Sequence, residues 1–198
     1  MKSHRKKLLR FKRMICCILA ACIISIFVAS PAYAIPSTYN TDIPMTHQVK
    51  TFWCWAASGA SIVNYYGGSI TQYNFSTIVK GNSTNNSSAS MAEELYGLSH
   101  YGLHTHNIIT TISYQDIQYN SYNLKRPVIV GLQASAGSSY TYQATGHMLV
   151  ITGYMSTSGE PNTVILMDPW YYSYQYVTYS SLVSNSDYYW YETVDGIY

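Results

Sequence analysis

The chain has 198 residues, enough for one domain with a sizeable core, and its 10% of charged residues stand beside 22 tyrosines, so its contacts lean on hydroxyls and aromatic faces. Eleven basic residues against nine acidic ones give a formal charge of +2, yet seven of the eleven lie in the opening stretch MKSHRKKLLRFKR. Beyond it four basic residues face nine acidic ones, a balance of −5 that leaves no basic surface for nucleic acid.

The basic stretch leads into MICCILAACIISIFVAS, an uncharged and mostly apolar run from Met14 to Ser30, followed by Pro31 and the small residues of Ala32-Tyr33-Ala34. This is the layout of a secretory signal peptide with cleavage before Ile35, so the expectation is a leader over 1–34, one domain over 35–198, and a secreted product that meets the membrane only through its leader. Two alternatives use the same run. An uncleaved anchor would sit at the short limit of the ~17–25 residues a spanning helix needs. Lipidation at Cys22 in the sequence LAAC would place the modified cysteine early in the apolar run rather than at its end. Cys16, Cys17 and Cys22 all belong to the leader, which leaves Cys54 as the single thiol of the exported part, either buried and inert or reactive.

After an extended arm with Pro36 and Pro44, small and apolar residues recur at helical spacing from Cys54 to Tyr66 and stop at Gly67-Gly68, which predicts a helix with Cys54 at its N-terminus. A second helix is expected over Thr71 to Val79, closed by Gly81, and GNSTNNSSAS follows as a polar loop. Ser90 with Glu93 three residues later is a capping box that opens a helix ending near Gly97, and Ser113 to Tyr122 reads as another. From Arg126 onward the residues are β-formers, with strands expected over Pro127–Gln133, His147–Met155, Thr163–Asp168, Gln175–Tyr179 and Tyr188–Val194, joined as an antiparallel meander. Helices first and strands second, without βαβ alternation, give an α+β fold.

A thiol acts as a nucleophile only as thiolate, and a helix N-terminus favours the anion through its unpaired N–H groups and dipole. The base it needs has several candidates, of which His147 is best placed because it opens an apolar strand directly after Gly146. Asp168 ends the next strand, where an antiparallel neighbour can reach the far nitrogen of His147 and fix its tautomer. Gln48, six residues ahead of Cys54, lies in a loop from which its amide can donate to an oxyanion at the thiol. Alone, each of the last three has an ordinary structural explanation. Two competing motifs weigh less. His100, His104 and His106 suggest zinc, but Gly97 and Gly102 break any helix that would align them. Ser58 and Ser61 in SGAS suggest a serine nucleophile, but small residues in a helix more simply allow close packing.

Taken together, QVKTFWCWAAS from Gln48 to Ser58 resembles the active-site segment of papain-like cysteine peptidases, in which a glutamine precedes the nucleophile by six residues and Cys-Trp-Ala opens the central helix. The resemblance implies Cys54 as nucleophile, His147 as base, Asp168 as the third member with Trp170 behind it, and Gln48 as oxyanion donor, on a papain-like α+β fold with no cofactor and no metal. The separation of 93 residues between Cys54 and His147, Thr51-Phe52-Trp53 in place of Cys-Gly-Ser, and Asp followed by Pro as third member point to the compact bacterial members, similar to bacteriocin-leader-processing and effector-type proteases. With 19 residues from Ile35 to Cys54 there is no propeptide, which leaves a separate protein inhibitor, or activity only after export, as the safeguard. The expected partner is a protein or peptide substrate met by a monomer. Two rival functions stay open: another acyl transfer or amide hydrolysis on peptide or cell-wall material, and a catalytically idle, Tyr-rich extracellular binding protein on the same scaffold.

Overall fold

A computed structural model describes residues 34–108, 110–138 and 146–198, and the chain from Ile35 to Tyr198 forms one compact unit. The signal-peptide and Cys22 expectations lie outside the described residues.

Three helices make the first layer. Helix α1, Cys54–Tyr65, is buried from Trp55 through Val63 and closes where Gly67 turns to φ +90° and Gly68 N–H bonds Val63 O at 2.9 Å. Its run of Ala, Ser and Gly removes side-chain bulk on every face, so neighbours approach closely. A Cβ at Gly59 would run into the Phe75 ring. Helix α2, Gln72–Lys80, starts on a Thr71–Asn74 capping box and stops at left-handed Gly81. Helix α3, Met91–His100, starts on the expected Ser90–Glu93 box but continues past Gly97. That glycine is there for packing, because a Cβ would also strike Phe75, and the turn comes instead at Gly102 with φ +81°.

The second layer is a seven-stranded antiparallel sheet of β1 (Thr38–Asn40), β2 (His106–Ile108), β3 (Val128–Ala134), β4 (His147–Met155), β5 (Thr163–Met167), β6 (Gln175–Thr178) and β7 (Tyr188–Asp195). Its order is β2-β7-β3-β4-β5-β6, with β1 on β4. The expected meander therefore holds for β3 to β6 and fails for β7, which returns across the sheet to the free edge of β3. The extended arm is also more than an arm: β1 pairs with Gly153–Met155, where only a glycine lets Tyr39 O approach.

The central strands have no solvent face. Met148 and Val150 of β4 and Ile129 of β3 point into the core under α1–α3, while Leu149, Ile151, Val128 and Val130 point into a second core on the other face. That second face is covered by α4 (Tyr114–Gln118), a π-helical turn over Tyr119–Leu124, and α5 (Tyr179–Val183). The single helix expected over Ser113–Tyr122 thus widens midway and ends at Lys125, whose φ is +56°. The site lies where the start of α1 meets the start of β4 and the end of β5.

Candidate active site

Cys54 is the first residue of α1, with Trp53 at the cap position making no side-chain cap bond and no acid in the first turn. The unpaired N–H groups of the helix start are thus left to whatever develops charge at the thiol. The two flanking tryptophans are both buried, and each indole N–H donates to the polar loop: Trp53 Nε1 to Asn85 O at 2.7 Å, Trp55 Nε1 to Ser87 O at 3.0 Å. Phe52 N–H donates to Asn86 Oδ1 at 3.0 Å, and Lys50 Nζ to Ser83 O and Thr84 O, both at 2.9 Å. The segment around the cysteine therefore clamps the low-complexity loop, whose continuation at Ser88 and Ala89 walls the cleft.

His147 and Asp168 reach each other because β4 and β5 pair with Val150 opposite Met167, which leaves both residues at the same end of the ladder. His147 Nε2 donates to Asp168 Oδ1 at 2.7 Å, and both residues are buried. The same oxygen accepts Trp170 N–H at 2.9 Å. Cys54 and His147 line the same cleft, and the sulfur acts on the ring together with Asp168. Burial alone would lower the imidazole's pKa; the Asp168 charge, the Asp168 hydrogen bond and the sulfur outweigh it and raise the pKa to about 10. The arrangement holds a proton between sulfur and ring, with a carboxylate behind to stabilise the imidazolium.

Gln48 lines the cleft beside Cys54 and is buried. Its backbone N–H bonds Pro169 O at 2.8 Å, tying its loop to the turn that carries Asp168. Its amide donates to Lys50 O at 2.9 Å and Thr51 O at 2.6 Å, so both amide hydrogens go to carbonyls of its own loop, and Oε1 is buried without a partner among the described residues. Donation to an oxyanion requires the amide to exchange one of those carbonyls for it. The histidines of the zinc alternative have other partners: His104 stacks on Tyr198, His106 pairs with Asp195 at 3.3 Å and His100 packs edge-on against Tyr101. No group of three metal-ligating residues occurs among the described residues. Ser58 and Ser61 are fully buried inside α1, Ser61 donating to Pro44 O.

The cleft extends to both sides of the thiol. Past Gln48 and Trp170 it opens into a cavity of about 420 Å³ that also takes in His47, whose ring is stacked at 3.9 Å on Tyr172. On the other side it narrows to about 20 Å³ between Ser88, Gly131, Met148 and Tyr191. Sequence reasoning missed these walls, and it missed Glu94, a fully buried carboxyl on α3. Only its place in the apolar stripe with Met91 and Leu98 would have marked it.

A buried helix that presents a thiol to an imidazole and carboxylate on an antiparallel sheet is the architecture of papain-like cysteine peptidases. The chain belongs to that group: the family model described as papain-like cysteine protease AvrRpt2 matches residues 37–187. No curated protein sequence matches it. Among solved structures it is similar to the peptidase domain of Streptococcus ComA, a bifunctional ABC transporter involved in a quorum-sensing pathway, at 18% identity and a TM-score of 0.55 over 77% of this chain and 95% of that one. A protein from Bacillus anthracis described as a C39-like peptidase is similar at 14% identity and a TM-score of 0.55, over 81% and 97%. At these identities the likeness is one of fold.

Proposed function

We propose that this cysteine peptidase is an exported endopeptidase that cuts peptide bonds through Cys54, His147 and Asp168. The observation that carries the reading is the unbroken line from the Cys54 thiol through the His147 ring to Asp168 Oδ1, lying in a cleft that continues on both sides of the sulfur. Cys54 sulfur attacks the scissile carbonyl carbon, and the imidazolium gives its proton to the leaving amine as the C–N bond breaks. Neutral His147 then takes a proton from water, whose oxygen attacks the thioester and frees the thiol. Asp168 holds Nε2–H throughout and stabilises the charged ring. The oxyanion lies at the open end of α1, where the Cys54 backbone N–H donates to it, and Gln48 adds a second donor when it releases a loop carbonyl. Export is supported by the basic, apolar and small-residue order of positions 1–34.

The test is labelling of the purified protein with an epoxysuccinyl peptide, followed by a peptide-library screen. The expected result is one adduct, on Cys54, and cleavage inside peptides that disappears in Cys54→Ala. Transfer to an added amine without net hydrolysis would favour the acyl-transfer alternative, and an unlabelled Cys54 would sink the nucleophile assignment.

A further inference from the structure

Glu94 sits on the inner face of α3, one turn after Met91 and one before Leu98, and is 0% exposed. Among the described residues neither of its carboxyl oxygens meets a hydrogen-bond partner. A leucine or methionine would complete that apolar stripe, whereas a buried carboxyl without partners is costly when neutral and far more so when charged. Helix electrostatics do not require it, because Glu93 already closes the capping box and pairs with Lys80 at 2.6 Å.

Helix α3 packs on α1 and α2, with Gly97 of α3 and Gly59 of α1 both closed against Phe75. The titratable groups on these elements are Cys54 and Tyr65 on α1, Tyr73 and Lys80 on α2, and Glu93, Tyr96 and His100 on α3. Tyr73, Tyr96 and His100 are exposed, the Tyr65 hydroxyl donates to Lys125 O, and Lys80 is held by Glu93. Cys54 is the one whose charge acts on Glu94, and it acts likewise on Tyr191 of β7.

From these placements we propose that Glu94 is a protonated acid buried against the helix that starts at Cys54 and serves as a positioning residue for the charge state of that thiol. Held neutral, it sets no negative charge of its own against the helix that Cys54 starts. Once it loses its proton to solvent it sets a negative charge in the core within electrostatic reach of the sulfur, which favours the proton of the His147 imidazolium on the thiol. The inference rests on the reading of Cys54 as nucleophile.

Burial, and then the Cys54 charge, raise the Glu94 pKa well above the carboxylate range, while the unfolded chain ionises near 4.3. Between those two values unfolding releases a proton, so stability falls as pH rises, by up to tenfold in the unfolding constant per pH unit. The experiment compares denaturant unfolding of the full chain with Glu94→Gln and with Glu94→Met, the latter matched to the Met91–Leu98 stripe, across about pH 5 to 10. The ratio of wild-type to variant unfolding constants is expected to grow by about tenfold per pH unit before it levels off. In a Cys54→Ala background, where no thiolate opposes ionisation, it should level off at a lower pH. A ratio independent of pH shows an ionised or unshifted Glu94 and overturns the proposal. The same curve with and without Cys54 leaves Glu94 acting on the fold alone and overturns the positioning role. None of these readings depends on turnover, so failure of the peptidase assignment, seen as absent epoxide labelling, is told apart from failure here.

Discussion

Asp168 Oδ1 accepts two hydrogen bonds, from the His147 ring at 2.7 Å and from Trp170 N–H at 2.9 Å, so the carboxylate is fixed by its own turn before it orients the histidine. Asp168→Asn keeps an acceptor at that position and removes the charge that opposes burial at His147. The variant should retain a substantial share of its peak activity, while the alkaline limb of its kcat/KM profile moves down from the wild-type value set by an imidazole at about 10. An alkaline limb that stays in place would show that some other group sets it. Gln48→Ala tests the neighbouring residue, and two effects should separate. Loss of an oxyanion donor lowers kcat on the order of 10²–10³ with KM little changed. Loss of two bonds to Lys50 O and Thr51 O costs about 1–3 kcal/mol of stability, read by denaturant unfolding. A stability loss without a fall in kcat would make the amide a loop brace only. The meeting of Cys54, His147 and Asp168 was legible in the sequence because each lies at an element end that local signals mark. The bonding of the Gln48 amide was not, because it depends on how a four-residue turn folds back on itself.

At the scale of elements, the loop of Asn82 to Ser90 reads as unstructured polar sequence but is held by both tryptophans beside Cys54, by Phe52 N–H and by Lys50. Trp53→Phe keeps one aromatic ring in the core, deletes the donor to Asn85 O and leaves the space of the indole's second ring unfilled, a cavity cost that adds to the lost bond. The expected cost is about 1–3 kcal/mol for the stranded carbonyl, with faster cleavage of the loop in limited proteolysis and a higher KM, since the loop leads into the cleft wall at Ser88. Unchanged proteolysis and KM would mean that the remaining bonds suffice. The Ser90–Glu93 capping box gave the start of α3, and Gly67 and Gly81 gave the ends of α1 and α2, because those signals are local. The passage of α3 through Gly97, the π-helical turn after Gln118 and the return of β7 to β3 were illegible, because Phe75 packing, chain-end geometry and strand pairing are decided by residues far apart in sequence.

Across the whole molecule, the groups with raised pKa values act on stability in one direction. His147 is raised to about 10 from an ordinary value near 6.5, so the proton it holds stabilises the folded state fully below about pH 6.5 and this contribution is lost as pH rises toward 10. Glu94 gives the same sign from the glutamate range upward. Above pH 10 the tyrosines continue the trend: burial pushes Tyr66 and Tyr154 up to about 12 and raises Tyr65, Tyr114, Tyr174, Tyr179 and Tyr188 as well, so the unfolded chain sheds phenolic protons that the folded one keeps. Among the described residues Glu93 has the opposite sign, lowered first by its hydrogen bond to Lys80, and its partial exposure leaves that pair little weight. The chain should therefore be most stable on the acid side of neutrality and lose stability steadily into alkali. Denaturant midpoints measured from about pH 5 upward should fall throughout, more steeply above about 6.5 where His147 joins. In Glu94→Gln the early part of the fall should disappear while the part from His147 and the tyrosines remains. A midpoint that climbs between about pH 6 and 9 would contradict both buried assignments at once, since each requires the folded state to hold a proton that the unfolded chain has released.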